Sequence, residues 1–231
     1  YLYYYIMKTI IIIPYRDRMS HLEYFLKISY PELNKKINNL EILIVEQNNG
    51  KKFNRGLMIN IGYQYYNNDK YDYITQDVDV NPIVEESFDM YNYNLKNNEI
   101  YAIYSDENTL GGLVKFKGCD YKNLNGFPND FWGWGCEDKE LLNRAEFKNI
   151  KIKRSIGFHD MKTREKYFLI FQDNHLRERN DKYGESYIVW NRLSNEQKNT
   201  KLHINGLTTL NYKIIGEENL FNNVKKITVE V

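Results

Sequence analysis

An α/β fold built on a largely parallel sheet is predicted by three observations. Residues 8–14 (KTIIIIP) form a continuous β-branched run, the pattern of a strand buried on both faces. Two more strand-like segments follow, each preceded by a helical pattern. The third of these strands ends directly in Asp77-Val78-Asp79, a polar cluster where an open parallel sheet binds its ligands.

Taken in order, the run 8–14 is the first strand. Ser20-x-x-Glu23 has the spacing of a capping box and predicts a helix through about Tyr30. Residues 41–47 (EILIVEQ) read as a second strand. Residues 53–67 carry Leu57, Met58, Ile61 and Tyr65 at helical spacing, a second amphipathic helix. Residues 71–76 (YDYITQ) make the third strand. The β-α-β-α-β order implies right-handed crossovers, which bring Pro14-Tyr15-Arg16, Gln47 with its following loop, and Asp77–Asp79 to one edge. The last third is less regular. A helix is expected over 137–147, closing strands over 209–215 and 226–231, and surface loops or solvated helix faces over 92–98 and 195–201. No repeat and no Pro/Gly/Ser linker divides the chain.

Length and composition narrow the function classes. The 231 residues suit one large domain or two small ones. With 32 Lys+Arg against 31 Asp+Glu, the net charge of +1 argues against nucleic acid as a partner but leaves room for a local phosphate site. Apolar residues are 42 % of the chain, enough for a core and too many for disorder. The chain holds 30 Asn and 21 Tyr but only 2 Ala, a skew expected from an AT-rich genome. Cys119 and Cys136 are too few for a disulfide framework, and no Asn stands in an N-x-Ser/Thr sequon. The N-terminal apolar tract is interrupted by Lys8 and ended by Pro14, short of the roughly 20 residues of a membrane span. It also lacks the basic region and cleavage site of a signal peptide. Met7 would serve as a natural start, with residues 1–6 an upstream extension. The expectation is a soluble domain, on its own or as part of a longer multidomain protein.

Three constellations could carry chemistry. Asp77 and Asp79 can lie on one side of an extended turn and suit a hard divalent cation bridging to phosphate; the plain alternative is a polar turn. Residues 125–138 (NGFPNDFWGWGCED) set two of three Trp beside glycines and end in an acidic pair at a helix start. Trp134 offers a face to a sugar, and Glu137 and Asp138 stand where a helix dipole favours ionised carboxylates, so that Asp138 could take a proton from a hydroxyl. The alternative is a Gly-rich turn that plugs the core with Trp. Arg16 and Arg18 suit a diphosphate or a base edge, or are ordinary surface charge. A lone His159 is more often structural than a ligand.

These segments resemble the β-1,4-galactosyltransferase family (glycosyltransferase family 7). Residues 10–26 (IIIIPYRDRMSHLEYFL), 53–64 (FNRGLMINIGYQ), 77–82 (DVDVNP), 111–115 (GGLVK), 125–144 (NGFPNDFWGWGCEDKELLNR) and 157–160 (GFHD) occur in the family's order, and GLTTLNYKII and KITVEV resemble its closing segments. The WGWGxED block is the most specific.

The resemblance implies a GT-A fold, a Rossmann-like central mixed sheet flanked by helices in one catalytic domain over 1–231. About 1–112 would bind the nucleotide sugar and about 113–231 the acceptor. It implies inverting hexosyl transfer, galactose by default, from a UDP-sugar to a glycan or glycoside hydroxyl, assisted by Mn²⁺ with Mg²⁺ as a substitute. By matching motifs, Pro14, Tyr15, Arg16 and Arg18 would hold UDP, with Tyr15 where the family usually has Phe. Phe53 and Arg55 would pack on uracil and ribose beside Val78. Asp79 and His159 would bind the metal; the Met often found three residues before that His is Ile156 here. Asp77, Gly112, Trp134, Glu137 and Asp138 would contact the donor sugar. Asp138 would be the general base, and Trp134 would close over donor and acceptor.

Departures from the family pattern bear on substrate. Thr109 stands where galactose-specific members carry Tyr, leaving room for UDP-GalNAc or UDP-GlcNAc as donor. Lys139 replaces a third acidic residue and alters the acceptor edge. Asp106 lies where animal members place an aromatic against GlcNAc. The segments around Trp134 and over 160–180 are candidate lids. Sparse cysteine and absent sequons point to a viral or microbial, cytoplasmic member. A catalytically inactive nucleotide-sugar-binding module is the rival reading.

Overall fold

The computed structural model describes residues 7–48, 50–155, 161–172, 178–182 and 184–231, with side chains at 161, 162 and 187 left aside. The β-branched run becomes strand β1 (Thr9–Tyr15), buried at every position. Its neighbours are β2 (Leu40–Gln47) and β3 (Asp72–Gln76), both parallel to it. Successive side chains of a strand point to opposite faces. Ile10 and Ile12, with Leu43 and Val45, therefore pack on one face, and Ile11 and Ile13, with Ile42 and Ile44, on the other. This two-sided burial is why the strands read as unbroken apolar runs.

The crossover from β1 to β2 is a helical stretch of three pieces: α1 (Met19–Tyr24), a π-helical turn (Phe25–Ser29) and α2 (Tyr30–Lys36). The expected capping box does not form. Arg18 occupies the cap, Ser20 lies inside the first turn, and Glu23 pairs instead with Lys27 at 3.0 Å. Burial of Leu22 in the cluster with Ile11 and Ile13, and of His21 against the Phe171 ring at 4.5 Å, sets this phase. Pro31, which has no N–H to donate, sits in the first turn of α2, where none is needed.

Helix α3 (Arg55–Tyr66) makes the second crossover and packs on β1 and β2. The Asn54 side chain caps it by accepting from the Leu57 N–H at 2.9 Å, and Asn67 closes it in the left-handed conformation (φ 41°). Beyond β3 come β4 (Val80–Pro82), α4 (Glu85–Asp89), β5 (Glu99–Tyr104), β6 (Leu113–Lys117), α5 (Gly118–Asn123), α6 (Glu137–Phe147), β7 (Lys151–Arg154), α7 (Met161–Tyr167), β8 (Phe168–Ile170), α8 (Glu185–Arg192) and α9 (Asn195–Ile204). Helix α6 has the predicted bounds. The stretch 195–201 is an exposed helix face on α9, and within 92–98 the buried Leu95 pins the loop.

The chain closes differently from the expectation over 209–215. A short 3₁₀ turn (Leu207–Thr209) comes first, then β9 (Lys213–Phe221) and β10 (Val224–Glu230) form a hairpin. Its two-residue turn is fastened by Asn223, which accepts from the Tyr30 hydroxyl at 2.6 Å and donates to the Leu40 carbonyl at 3.0 Å. Among the described residues the main sheet has the order β7-β5-β6-β3-β1-β2-β10-β9, and a small second sheet pairs β4 with β8. The parallel strands β3, β1, β2 and β10 form its centre, with antiparallel β6 and β9 beside them. This is the mixed sheet flanked by helices that was expected. Chain order reverses between β1 and β3, which makes their carboxyl ends the switch point at which such sheets bind ligands.

Candidate active site

A cavity of about 400 Å³ opens at that switch point. Its size is that of a small-molecule site. Pro14, Arg16, Asp17 and Arg18 reach it from the end of β1, and Asp77, Val78 and Asp79 from the end of β3. Phe53 and Arg55 enter at the start of α3, Gly111 and Gly112 ahead of β6, and Gly133, Trp134, Glu137 and Asp138 from the loop leading into α6. Glu178 completes the wall. Segments that are far apart in the chain thus meet as the motifs predicted.

On the β1 side, the Arg16 guanidinium lies 5.4 Å from the Phe53 ring centroid and 3.7 Å from the Glu178 carboxylate. Its Nη1 donates to the Lys51 carbonyl at 2.6 Å. Arg16 is thereby held over the aromatic ring at the cavity wall, a geometry suited to an anionic group next to a flat base.

The opposite wall is acidic. Arg55 donates from Nε to Asp77 at 2.5 Å, and its Nη1 stands 3.9 Å from Glu137. Asp77, Glu137 and Asp138 all act on this one guanidinium. Burial pushes the Glu137 carboxyl up, as does the Asp138 charge, against the pull of Arg55; it reaches about 7. Burial raises Asp138 as well, again opposed by Arg55. Desolvation therefore outweighs the helix dipole that was expected to keep this pair ionised. Arg55 Nη1 and Nη2 and Glu137 Oε2 are buried without a hydrogen-bond partner among the described residues. Buried polar atoms are normally satisfied, so these face a place where a polar ligand belongs.

Two glycines shape the walls. Gly112 has φ 69°, and a Cβ there would meet the Tyr104 carbonyl oxygen at 2.5 Å. Gly133 has φ 86° and packs against the carbonyls of Glu178 and Arg179, each 2.8 Å from where its Cβ would stand. Both positions require the left-handed region and close backbone approach, which glycine alone supplies at low cost. Cys136, also left-handed (φ 72°), turns the chain into α6.

Some predicted residues stand elsewhere. Tyr15 is 3 % exposed and packs in the hydrophobic cluster with Ile11 and Ile13, because strand alternation turns it from the cavity that Pro14 and Arg16 face. Arg55 lines the cavity, but its guanidinium is directed at Asp77 and Glu137 and not held open for uracil or ribose. Thr109 is not among the lining residues; its hydroxyl lies 3.1 Å from that of Ser105 and its carbonyl accepts from Arg154. Lys139 is likewise outside the lining, its backbone N–H donating to Asp138 Oδ1 at 2.8 Å. Asp106, in the segment expected to face the acceptor, pairs with Arg164 at 2.6 Å. His159 and Ile156 lie outside the described residues, as does part of the candidate lid 160–180. Asp17 and Glu178 were missed. Asp17 adjoins motif residues, whereas Glu178 sits in a charged stretch with no local signature.

Comparison with known proteins bears on the family and the fold. The N-terminal region of glycosyl transferase group 7 matches residues 5–94, and the N-terminal domain of galactosyltransferase matches residues 93–170. The chain belongs to the β-1,4-galactosyltransferase family. Human β-1,4-galactosyltransferase 4 is 29 % identical over 225 residues, covering 92 % of this chain and 60 % of the relative. Human β-1,4-galactosyltransferase 1 is 31 % identical over 164 residues, covering 64 % of this chain and 39 % of the relative. The chain thus spans less than two thirds of the length of either relative. A Drosophila β-1,4-galactosyltransferase 7 mutant, solved with manganese, UDP-Gal and xylobiose, superposes with a TM-score of 0.75 at 22 % identity, covering 97 % of this chain and 94 % of that one. That likeness establishes the shared GT-A fold. Among the described residues no helix is long and apolar enough to cross a membrane.

Proposed function

We propose that this family member transfers galactose from UDP-galactose to a glycan or glycoside hydroxyl with inversion, assisted by Mn²⁺. The observation that carries the reading is the cavity itself: a cationic, aromatic wall at Arg16 and Phe53 faces Asp138 and the buried Glu137 carboxylate, and Glu137 Oε2 and Arg55 Nη1 and Nη2 have no hydrogen-bond partner among the described residues. UDP would lie across Arg16, Arg18, Phe53 and Val78, and the sugar against Asp77, Gly112 and Glu137. Its support is the family membership together with manganese and UDP-Gal in the Drosophila relative's structure.

The residues present fit the metal in kind. Asp79 offers a hard carboxylate at the cavity and His159 an imidazole, a donor set suited to Mn²⁺ and tolerant of Mg²⁺. Asp79 and His159 are the residues that would hold the ion. When bound, the ion offsets the negative charge of the departing UDP. Asp138 takes the proton of the acceptor hydroxyl as its oxygen attacks the anomeric carbon opposite UDP, and the bond to the phosphate oxygen breaks. One base and no covalent intermediate suffice for inversion. Desolvation serves this role, because a raised carboxyl is a stronger base. Arg55 holds Asp77 beside Glu137 and limits their mutual repulsion.

The test is UDP release with Mn²⁺ over a panel of UDP-Gal, UDP-GalNAc and UDP-GlcNAc, with xylobiose and N-acetylglucosamine as acceptors. UDP-Gal should turn over, and Asp138→Asn should lower kcat by about 10³-fold while UDP binding persists. An equal rate in Asp138→Asn would remove Asp138 as base. Preference for an N-acetylated donor would move the assignment to a UDP-GalNAc or UDP-GlcNAc transferase and restore Thr109 as a specificity residue. A cytoplasmic site of action, drawn from cysteine and sequon usage, belongs to the same proposal and is tested by fractionating the source cell.

A further inference from the structure

We infer that Arg154 is a positioning residue for the general base: it clamps the loop 105–112, whose far end seats Asp138. The inference rests on the galactosyl-transfer reading, which makes Asp138 that base. Strand β7 lies parallel to β5 at the edge of the main sheet, with Arg154 opposite Ala102. Parallel strands end on the same side, so the last residue of β7 stands beside the loop that leaves β5. Arg154 does not itself line the cavity. Its guanidinium gathers three carbonyls of that loop. Nη1 donates to Asp106 at 2.7 Å, and Nη2 donates to Glu107 at 2.7 Å and to Thr109 at 3.1 Å. Carbonyl oxygens turned toward one point repel one another, and a planar cationic fork of N–H donors offsets this. Residues 106–108 are exposed, so the apex of the loop has no apolar packing to fix it. Arg164 of α7 reaches the Asp106 side chain at 2.6 Å but belongs to the candidate lid. Arg154 is anchored in the sheet and does not depend on the lid.

The clamp reaches the site through the backbone. Ser105, 3 % exposed, donates from Oγ to the Thr109 carbonyl at 2.9 Å and accepts from the Gly111 N–H at 3.0 Å. The Leu110 N–H donates to the Asp138 carbonyl at 3.1 Å, and the Asp77 N–H donates to the Gly112 carbonyl at 3.1 Å. Gly111 backs directly onto the Asp138 carboxylate, with only 2.8 Å between Oδ2 and the place of a Cβ. One end of the loop is thus held by Arg154, and the other meets the base and the end of β3. Slack at the first end becomes displacement of Asp138 at the second.

The experiment compares wild type, Arg154→Ala and Arg154→Lys. It measures kcat at saturating UDP-Gal and Mn²⁺ with whichever of xylobiose and N-acetylglucosamine the wild type accepts, and the Kd of UDP with Mn²⁺. Backbone amide exchange over 105–112 is followed on the same proteins. A displacement of about half an ångström at Asp138 should lower kcat about tenfold in Arg154→Ala and leave the UDP Kd within about twofold, since Arg16 and Phe53 are untouched. Arg154→Lys keeps the charge without the fork and should stand about threefold below wild type. Exchange over 105–112 should quicken in the order wild type, Lys, Ala, and stay unchanged over α3. An unchanged kcat, or a UDP Kd that rises as much as kcat falls, overturns the inference. If the wild type transfers galactose to neither acceptor, the functional reading fails while the exchange series still decides whether Arg154 clamps the loop; unchanged exchange would refute it. If Arg154→Ala does not fold, Arg154→Lys carries the same comparison with the smaller expected effect.

Discussion

Replacing Gly111 by Ala separates the base from the scaffold. A Cβ at position 111 would stand 2.8 Å from Asp138 Oδ2 and 3.2 Å from Asp138 Cβ, where ordinary contact begins near 3.4 Å. The carboxylate must retreat by roughly half an ångström. Since a 1 Å misplacement of a reacting group costs about 10²-fold, this shift should lower kcat about tenfold. The backbone at Gly111 is outside the left-handed region, so Ala fits it without strain. The lower entropy of the unfolded Ala chain stabilises by about 0.4–1 kcal/mol and offsets the contact. The assay is UDP release at saturating UDP-Gal and Mn²⁺, with thermal unfolding on the same sample. A tenfold fall in kcat with Tm held within about 2 °C is expected. An unchanged kcat would mean that Asp138 Oδ2 is not the proton acceptor. A large loss of Tm would mean that Gly111 serves packing. Gly112→Ala is the contrast: its Cβ would press on the Tyr104 carbonyl at a positive φ, and that variant should lose about 2 kcal/mol of stability.

Three further predictions follow from the same geometry. Glu137 holds its proton up to about 7 in the fold, against an ordinary value of 4.5, so the folded state binds more protons than the unfolded one across that window. Stability of the metal-free protein should therefore fall as pH rises from about 4.5 to 7, by about 2–3 kcal/mol from this group. Glu137→Gln should flatten that limb in urea unfolding at pH 5 and pH 8, and an identical slope would contradict the assignment. Asp79→Asn should abolish the extra thermal stabilisation that Mn²⁺ gives with UDP, while retaining the fold; undiminished stabilisation would show that the ion is held elsewhere. Asn60→Ala should cost about 2–3 kcal/mol, roughly 4–12 °C in Tm, because it leaves buried partners at Tyr121, Phe127 and Asn129 unmet; a loss below about 0.5 kcal/mol would show that this network relaxes freely.

What could be read in the sequence was what local pattern encodes. Strands β1 and β2 carry runs of apolar residues because both faces are covered, β3 carries the β-favouring Tyr73-Ile74-Thr75, and α6 carries its acids at a helix start, so each was found close to its true bounds. Ser20 misled because a capping box is a local signal, whereas the start of α1 is set by which residues the sheet must bury. Tyr15 misled for a related reason. A motif places a residue in the chain but not on a face, and strand alternation sends it inward between Pro14 and Arg16. The direction of Arg55 depends on Asp77 and Glu137, brought together only by the fold. Glu178 and Arg179 had no signature at all, since their partners Arg16 and Trp134 lie more than forty residues away in sequence.

The asparagine excess takes on a second meaning in the fold. Codon bias accounts for the supply, but not for where it is used. Five of the seven described non-glycine residues with positive φ are Asn: 39, 67, 98, 125 and 149. Asn tolerates the left-handed region better than other side chains, so turns that glycine would serve elsewhere are made by Asn here. Others build the support behind the cavity. Asn54 caps α3 and donates to the Asn129 carbonyl at 2.8 Å. Asn60 donates to the Phe127 carbonyl at 2.7 Å and to Asn129 Oδ1 at 2.9 Å, and accepts from the Tyr121 hydroxyl at 2.6 Å. Asn129 goes on to the Gly206 carbonyl at 2.7 Å, and Arg144 of α6 ties the carbonyls of Gly126 and Asn205. This network fastens the loop 125–130 to α3 and α6, the two helices whose first turns present Arg55 and Glu137 to one another. Such a buried polar network resists displacement, because each broken bond leaves a desolvated group unpaired. The Arg55–Asp77–Glu137 cluster therefore owes its alignment to Asn side chains that, by composition alone, looked like drift.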